Sequence, residues 1–154
     1  MILIMRNIQL TILLLTCVLC MSNSSCSKDS VEGMSTSDFG IPFELSPDES
    51  VILPKNKKEV MISLVSLKDS RCPADVQCIW AGNAGIKIRI SSGTGLVDST
   101  ELCLGQCDTK FKTADTAILR LRDLNYSVVL KSIDPYPGKG NAENKKAILL
   151  VKKL

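Results

Sequence analysis

The chain has 154 residues, with 19 basic and 16 acidic side chains and a net charge of +3 at pH 7. It carries seven cysteines and no histidine. The missing imidazole removes the commonest general base and the commonest metal ligand. The scattered charges leave no basic stripe of the kind that tracks nucleic acid.

The first element is apolar. Leu10 to Met21 is broken only by Thr11 and Thr16, with Arg6 before it and Lys28 as the next charge. A short basic region, an apolar run and then small residues form the pattern of a secretory signal. The run falls short of the ~20 residues that span a bilayer, although a single-pass anchor is the alternative. Residues 1–25 are therefore read as a signal peptide. The stretch SNSSCSKDS, residues 22–30, resembles the lipobox of bacterial lipoproteins. Asn23 stands where a typical lipobox has an aliphatic residue. The tail CSKDS is similar to lipoproteins of Bacteroidota-type bacteria. That resemblance implies lipidation at Cys26, with acyl chains in the outer membrane and the domain facing the periplasm or the cell surface. Cys17 is the competing site, but cleavage there would leave Val18 to Met21 exposed. Residues 26–40, polar and small, are read as a lipidated N-terminus and tether. Folded structure is expected from about Ile41, so the domain is placed at 41–154.

Beyond the tether the hydrophobic period is two. Val60, Ile62 and Leu64 alternate on one face of VMISLVSL, and the paired Leu64 and Val65 suggest a bulge or a strand end. Ile86, Ile88 and Ile90 alternate with Lys87, Arg89 and Ser91; Leu119 and Leu121 alternate with Arg120 and Arg122. YSVVLKSI and KAILLVKKL are apolar on both faces, as inner strands are. Short runs at 42–46, 50–53 and 96–102 complete the set. SPDES, PKNKK, SSGTG and DPYPGKGN are turn signals. No helical stripe is present. Seven or eight short strands predict an all-β, antiparallel sandwich or barrel-like domain.

Removing the signal discards Cys17 and Cys20, and lipid takes Cys26. Cys72, Cys78, Cys103 and Cys107 remain, an even number in an exported domain, so two disulfides are expected. Two local clasps, Cys72–Cys78 and Cys103–Cys107, are the first expectation, with Gly105 allowing a tight turn in the second; cross-pairing is the alternative. Cys72 and Cys78 lie in DSRCPADVQCIWAGNAG, residues 69–85, which links two strands. Pro73 holds Cys72 extended. Trp80 stands two positions after Cys78, which on a strand sets both on one face. A core tryptophan packed against a disulfide is the expectation, with Gly82 marking a close approach beside it.

Catalytic and metal readings find little support. The gaps between cysteines do not match zinc spacing, and no Cys-x-x-Cys stands near a βαβ unit. A nucleophilic cysteine would lack its usual histidine partner. DSTE at 98–101 and SPDES at 46–50 read as turns rather than calcium ligands. No cofactor and no metal is expected, and no enzymatic activity.

The motif Arg71-Cys72-Pro73, four residues, Cys78, one residue, Trp80-Ala81-Gly82 resembles a family of small bacterial lipoproteins and secreted domains. YSVVLKSIDPYP, from Tyr126, is similar to the same family. The resemblance covers about residues 41–151 and implies an exported all-β domain; no ligand or catalytic residue carries over from it. The expected role is binding or structural, with a membrane contact through the lipid and an envelope protein or glycan as partner. Arg71 and Pro73 of the clasped loop, and Tyr136 and Lys139 of the loop at 134–146, are the candidate binding residues. A protease-inhibitor-like module, a subunit of an envelope complex, and a redox or metal-binding lipoprotein are the alternatives.

Overall fold

The computed structural model describes Gly33 to Leu154. The assignments to residues 1–32, including the signal peptide and Cys26, lie outside the described residues. Ten strands follow in order: β1 Met34–Thr36, β2 Phe43–Leu45, β3 Ser50–Leu53, β4 Val60–Asp69, β5 Asn83–Ser92, β6 Val97–Cys107, β7 Lys110–Lys112, β8 Asp115–Leu121, β9 Leu124–Asp134 and β10 Lys146–Lys153. One 3-10 turn, Ala142–Asn144, precedes β10, and no α-helix occurs among the described residues.

The strands form two sheets. One has six strands in the order β1-β3-β4-β5-β6-β7, and the other has four in the order β2-β10-β9-β8. Every pairing is antiparallel except β1 with β3, which is parallel. The fold is an all-β sandwich of two sheets. Period two is the reason. Val60, Ile62 and Leu64 of β4, Ile86, Ile88 and Ile90 of β5, and Leu119 and Leu121 of β8 are all buried, while Lys87, Arg89, Arg120 and Arg122 face water. β9 and β10, apolar on both faces, are the two inner strands of the smaller sheet. Tyr126, Val128 and Leu130 of β9 meet this core from the second sheet.

Two bulges adjust the faces. The β4–β5 register shifts between Leu64 and Ser66, where Leu64-Val65 signalled an irregularity. The β9–β10 register shifts at Lys131, so burial passes from Leu130 to Ile133 instead of Ser132. Along one side the sheets meet without a strand ladder. There Asp98 of β6 accepts a hydrogen bond from the Arg120 backbone N–H (2.9 Å), and Asp115 of β8 accepts one from the Cys103 N–H (3.0 Å). Each carboxylate satisfies an edge donor of the opposing strand, which blunts two edges at once.

Two sequence expectations are corrected here. The tether boundary near Ile41 is too late: β1 lies within 26–40, and Phe39 packs against the core with its ring centroid 6.0 Å from that of Tyr126. A three-residue strand of Met, Ser and Thr has no periodicity to read; its neighbour β3 supplies the order. The second cysteine pair sits within β6 rather than across a turn.

Candidate functional site

Strand β4 ends, and β5 begins, at one end of the sandwich. The β9–β10 loop and the β6–β7 turn lie there too. Two disulfides, Cys72–Cys78 and Cys103–Cys107, cross-link this clasped end. Both are the local pairings.

The β4–β5 ladder runs on beyond the strands through backbone bonds from Ser70 N–H to Asn83 O and from Cys72 N–H to Ala81 O, each 2.8 Å. Gly82 then takes φ +70°, and a Cβ there would stand 2.0 Å from the Ser70 carbonyl oxygen. Gly105, at φ +87°, sits against Gly82 in turn, with a Cβ site 2.6 Å from its carbonyl oxygen. The close approach expected at Gly82 is therefore real, but backbone, not an indole, fills it. Only glycine tolerates such contact at positive φ.

Trp80 is the correction that matters. It is 57% exposed, and Ile79 beside it is fully exposed. β5 starts only at Asn83, after the turn at Gly82, so no pleat aligns Trp80 with the core. Val76 on the same loop is also exposed, as is Phe111 on β7.

Beneath the loop lies an ion network. Asp69, with a side chain 1% exposed, accepts hydrogen bonds from Arg71 Nε and Nη2, both 2.8 Å, and from the Arg71 backbone N–H at 3.2 Å. Lys145 Nζ completes the set, bonding Asp69 Oδ2 and the Pro135 carbonyl (2.9 Å). Burial raises the Asp69 carboxyl, but the hydrogen bonds from Arg71 and Lys145 outweigh it and hold the group below the ordinary carboxylate range. Hydrogen bonding to Asp69 raises Arg71 in return.

Arg71 Nη2 also donates to the Ile133 carbonyl at 2.7 Å, and its guanidinium lies 4.4 Å from the centre of the Tyr136 ring. Beyond Leu130, β9 has outrun its neighbour β8, whose first residue pairs there. The guanidinium occupies that vacated edge. Ala74 N–H bonds the Pro137 carbonyl (3.0 Å), joining the clasped loop to the Tyr136 loop. A cleft of about 290 Å³ opens between Arg71, Tyr136, Phe111 and Lys131, with Ala81 and Leu104 also in its lining.

Of the expected binding residues, Arg71 and Tyr136 meet directly. Pro73 accepts a long bond from Val76 N–H (3.4 Å), and Lys139 is exposed in a turn closed on the Tyr136 carbonyl (2.9 Å). Sequence reasoning gave no role to Asp69, Lys145 or Phe111. The spacing of Asp69 and Arg71 was a usable signal, since residues two apart at a strand end share a face. Lys145, distant in the chain, left none. Among the described residues no group of acidic, cysteine or histidine side chains is arranged to hold a metal.

The chain was compared with known protein families, with curated proteins and with solved structures, and none matches it.

Proposed function

We propose that this protein is a lipid-anchored envelope module of the outer membrane that works by binding through its clasped end, without catalysis. The observation that carries this reading is an end made rigid by two disulfides and a buried ion network, yet displaying Val76, Ile79, Trp80 and Phe111 to water. Three of these exposed apolar groups fall within five residues of one braced loop, a concentration that favours an interaction surface. The disulfides favour an oxidising compartment. The signal-like N-terminus and the small polar residues before Cys26 support export and lipidation. The expected partner at the cleft beside Tyr136 is an envelope protein or glycan.

Intact mass of membrane-extracted protein, alkylated with and without reduction, tests the anchor. The expected mass is a chain starting at a lipidated Cys26, with its other cysteines alkylated only after reduction. An unlipidated chain, or one starting at Cys17, sinks the assignment. A photo-crosslinker at Phe111 in living cells tests binding: one defined adduct is expected there and none at Val97, whose exposure is similar. Equal labelling at both positions removes the reading.

The disulfide-braced loop with Ile79 at its surface also favours a second reading, a protease-inhibitor-like module. Stable, stoichiometric complexes with a member of a serine and cysteine protease panel would support it; cleavage of the loop without complex formation removes it.

A further inference from the structure

We infer that the apolar tip of the clasped loop, Val76, Ile79 and Trp80, rests in the lipid interface of the membrane that anchors the protein. This rests on the anchor reading above and names what the tip meets.

The first ground is strand direction. β4 runs toward the clasped end, β3 is antiparallel to it, and β1 is parallel to β3. β1 therefore runs away from the clasped end, so the domain's first strand begins on the side nearest the loop tip. The second ground is length. Met34 is level with Ser50 and Ser63, and Ser63 is opposite Arg89, five residues along β5 from Ala84, which pairs with Asp69. At about 3.3 Å per residue, Met34 stands roughly 17 Å below the level of Asp69. Eight residue steps from Cys26 to Met34 reach at most about 28 Å. An anchor at Cys26 can thus lie up to about 10 Å beyond the level of Asp69. A bilayer holding Cys26 is then within reach of Trp80.

The third ground is chemistry. The Ile79-Trp80 pair carries no charge, and Val76 adds a third apolar side chain. Trp prefers the headgroup boundary, where its ring is apolar and its N–H stays hydrated. Apolar groups of interfacial segments sit about 5–10 Å into that boundary. The acyl chains already suffice for stable attachment, and the tip adds a second, orienting contact beside them. It also fixes which end of the sandwich faces the bilayer.

Trp80 is the only tryptophan in the chain, so the protein carries its own probe. The lipidated full-length protein is reconstituted into phosphatidylethanolamine–phosphatidylglycerol vesicles, with and without phospholipid brominated near the headgroup. A blue-shifted Trp80 emission, quenched by the brominated lipid, is expected. Ile79→Asp is expected to reduce the quenching about tenfold, while Val97→Asp, at the opposite end of the sandwich, leaves it unchanged. Emission typical of a hydrated indole, unquenched while mass spectrometry finds lipid on Cys26, overturns the inference and leaves the anchor standing. A shift that requires added envelope protein and not lipid overturns it in favour of a protein partner. A chain without lipid on Cys26 overturns both, because the reach argument starts there.

Discussion

Asp69 is the residue on which the clasped end depends. It joins β4 to Arg71 on one side and to Lys145 of the β9–β10 loop on the other, with its side chain almost wholly out of water. Removing one member of such a cluster leaves two cations with no counter-charge. Asp69→Asn is expected to cost about 3 kcal/mol, measured by denaturant unfolding. The sign of its pH dependence follows from its lowered folded value. Its contribution is complete above the unfolded value, near pH 4, and is lost as pH falls through the folded value. The gap in stability between wild type and Asp69→Asn should therefore narrow below about pH 4 and stay constant from pH 5 to 7. A gap that widens in acid contradicts the assignment. Gly82 is the second critical residue. Gly82→Ala forces a Cβ into the Ser70 carbonyl at a positive φ, and a loss of at least about 2 kcal/mol is expected. Tyr126 is buried with its hydroxyl donating to Glu59 (2.8 Å), and burial raises the phenol well above its ordinary range. Lys153 also bonds Glu59 and holds its carboxyl down. Tyr126→Phe therefore leaves Glu59 partnered and should cost only about 1 kcal/mol.

Among the elements, the disulfides and the β6–β8 seam act differently. Each disulfide closes a short ring, and chain-entropy arithmetic gives about 2 kcal/mol for rings of this length. The Cys72–Cys78 bridge braces a loop, whereas Cys103–Cys107 lies within β6, with Cys107 buried. Replacing Cys72 and Cys78 together by serine should make the loop between Arg71 and Gly82 the first site of limited proteolysis, while the β-sheet circular dichroism signal persists. Loss of that signal would place the bridge in the core's stability. The seam depends on Asp98 and Asp115. Burial raises the Asp115 carboxyl, but bonds from the Cys103 N–H and Lys112 outweigh it and keep the group ionised. Asp115→Ala leaves a part-buried N–H without its acceptor and should cost about 1–2 kcal/mol, more than Asp98→Ala at its exposed site.

For the molecule as a whole, the domain starts earlier than hydropathy suggests. Phe39 covers Tyr126 from outside the main strand set. Phe39→Ala should lower stability by about 1–2 kcal/mol, where a side chain on a solvated tether would cost nothing measurable. Much of the remaining architecture was legible. The alternation in β4, β5 and β8 needed no tertiary information, because a pleat sends successive side chains to opposite faces whatever lies beyond them. The apolar runs of β9 and β10 indicated inner strands. β7 was invisible because Lys-Phe-Lys gains its order only by pairing with the last three residues of β6.

The division follows from the range of the forces involved. Periodicity and turn chemistry act over a few residues, so the sequence alone determined an all-β chain and the buried faces of its strands, while the choice between local and crossed cysteine pairs and the backbone contact that requires glycine at position 82 came from the tertiary structure. Contacts between residues far apart in the chain leave no trace in local pattern. Only the tertiary structure decided that Asp69 binds Lys145 and that Arg71 seals the end of β9. Only it placed β1 beside β3, and only it turned Trp80 outward into water, because the chain turns at Gly82 before the pleat of β5 begins.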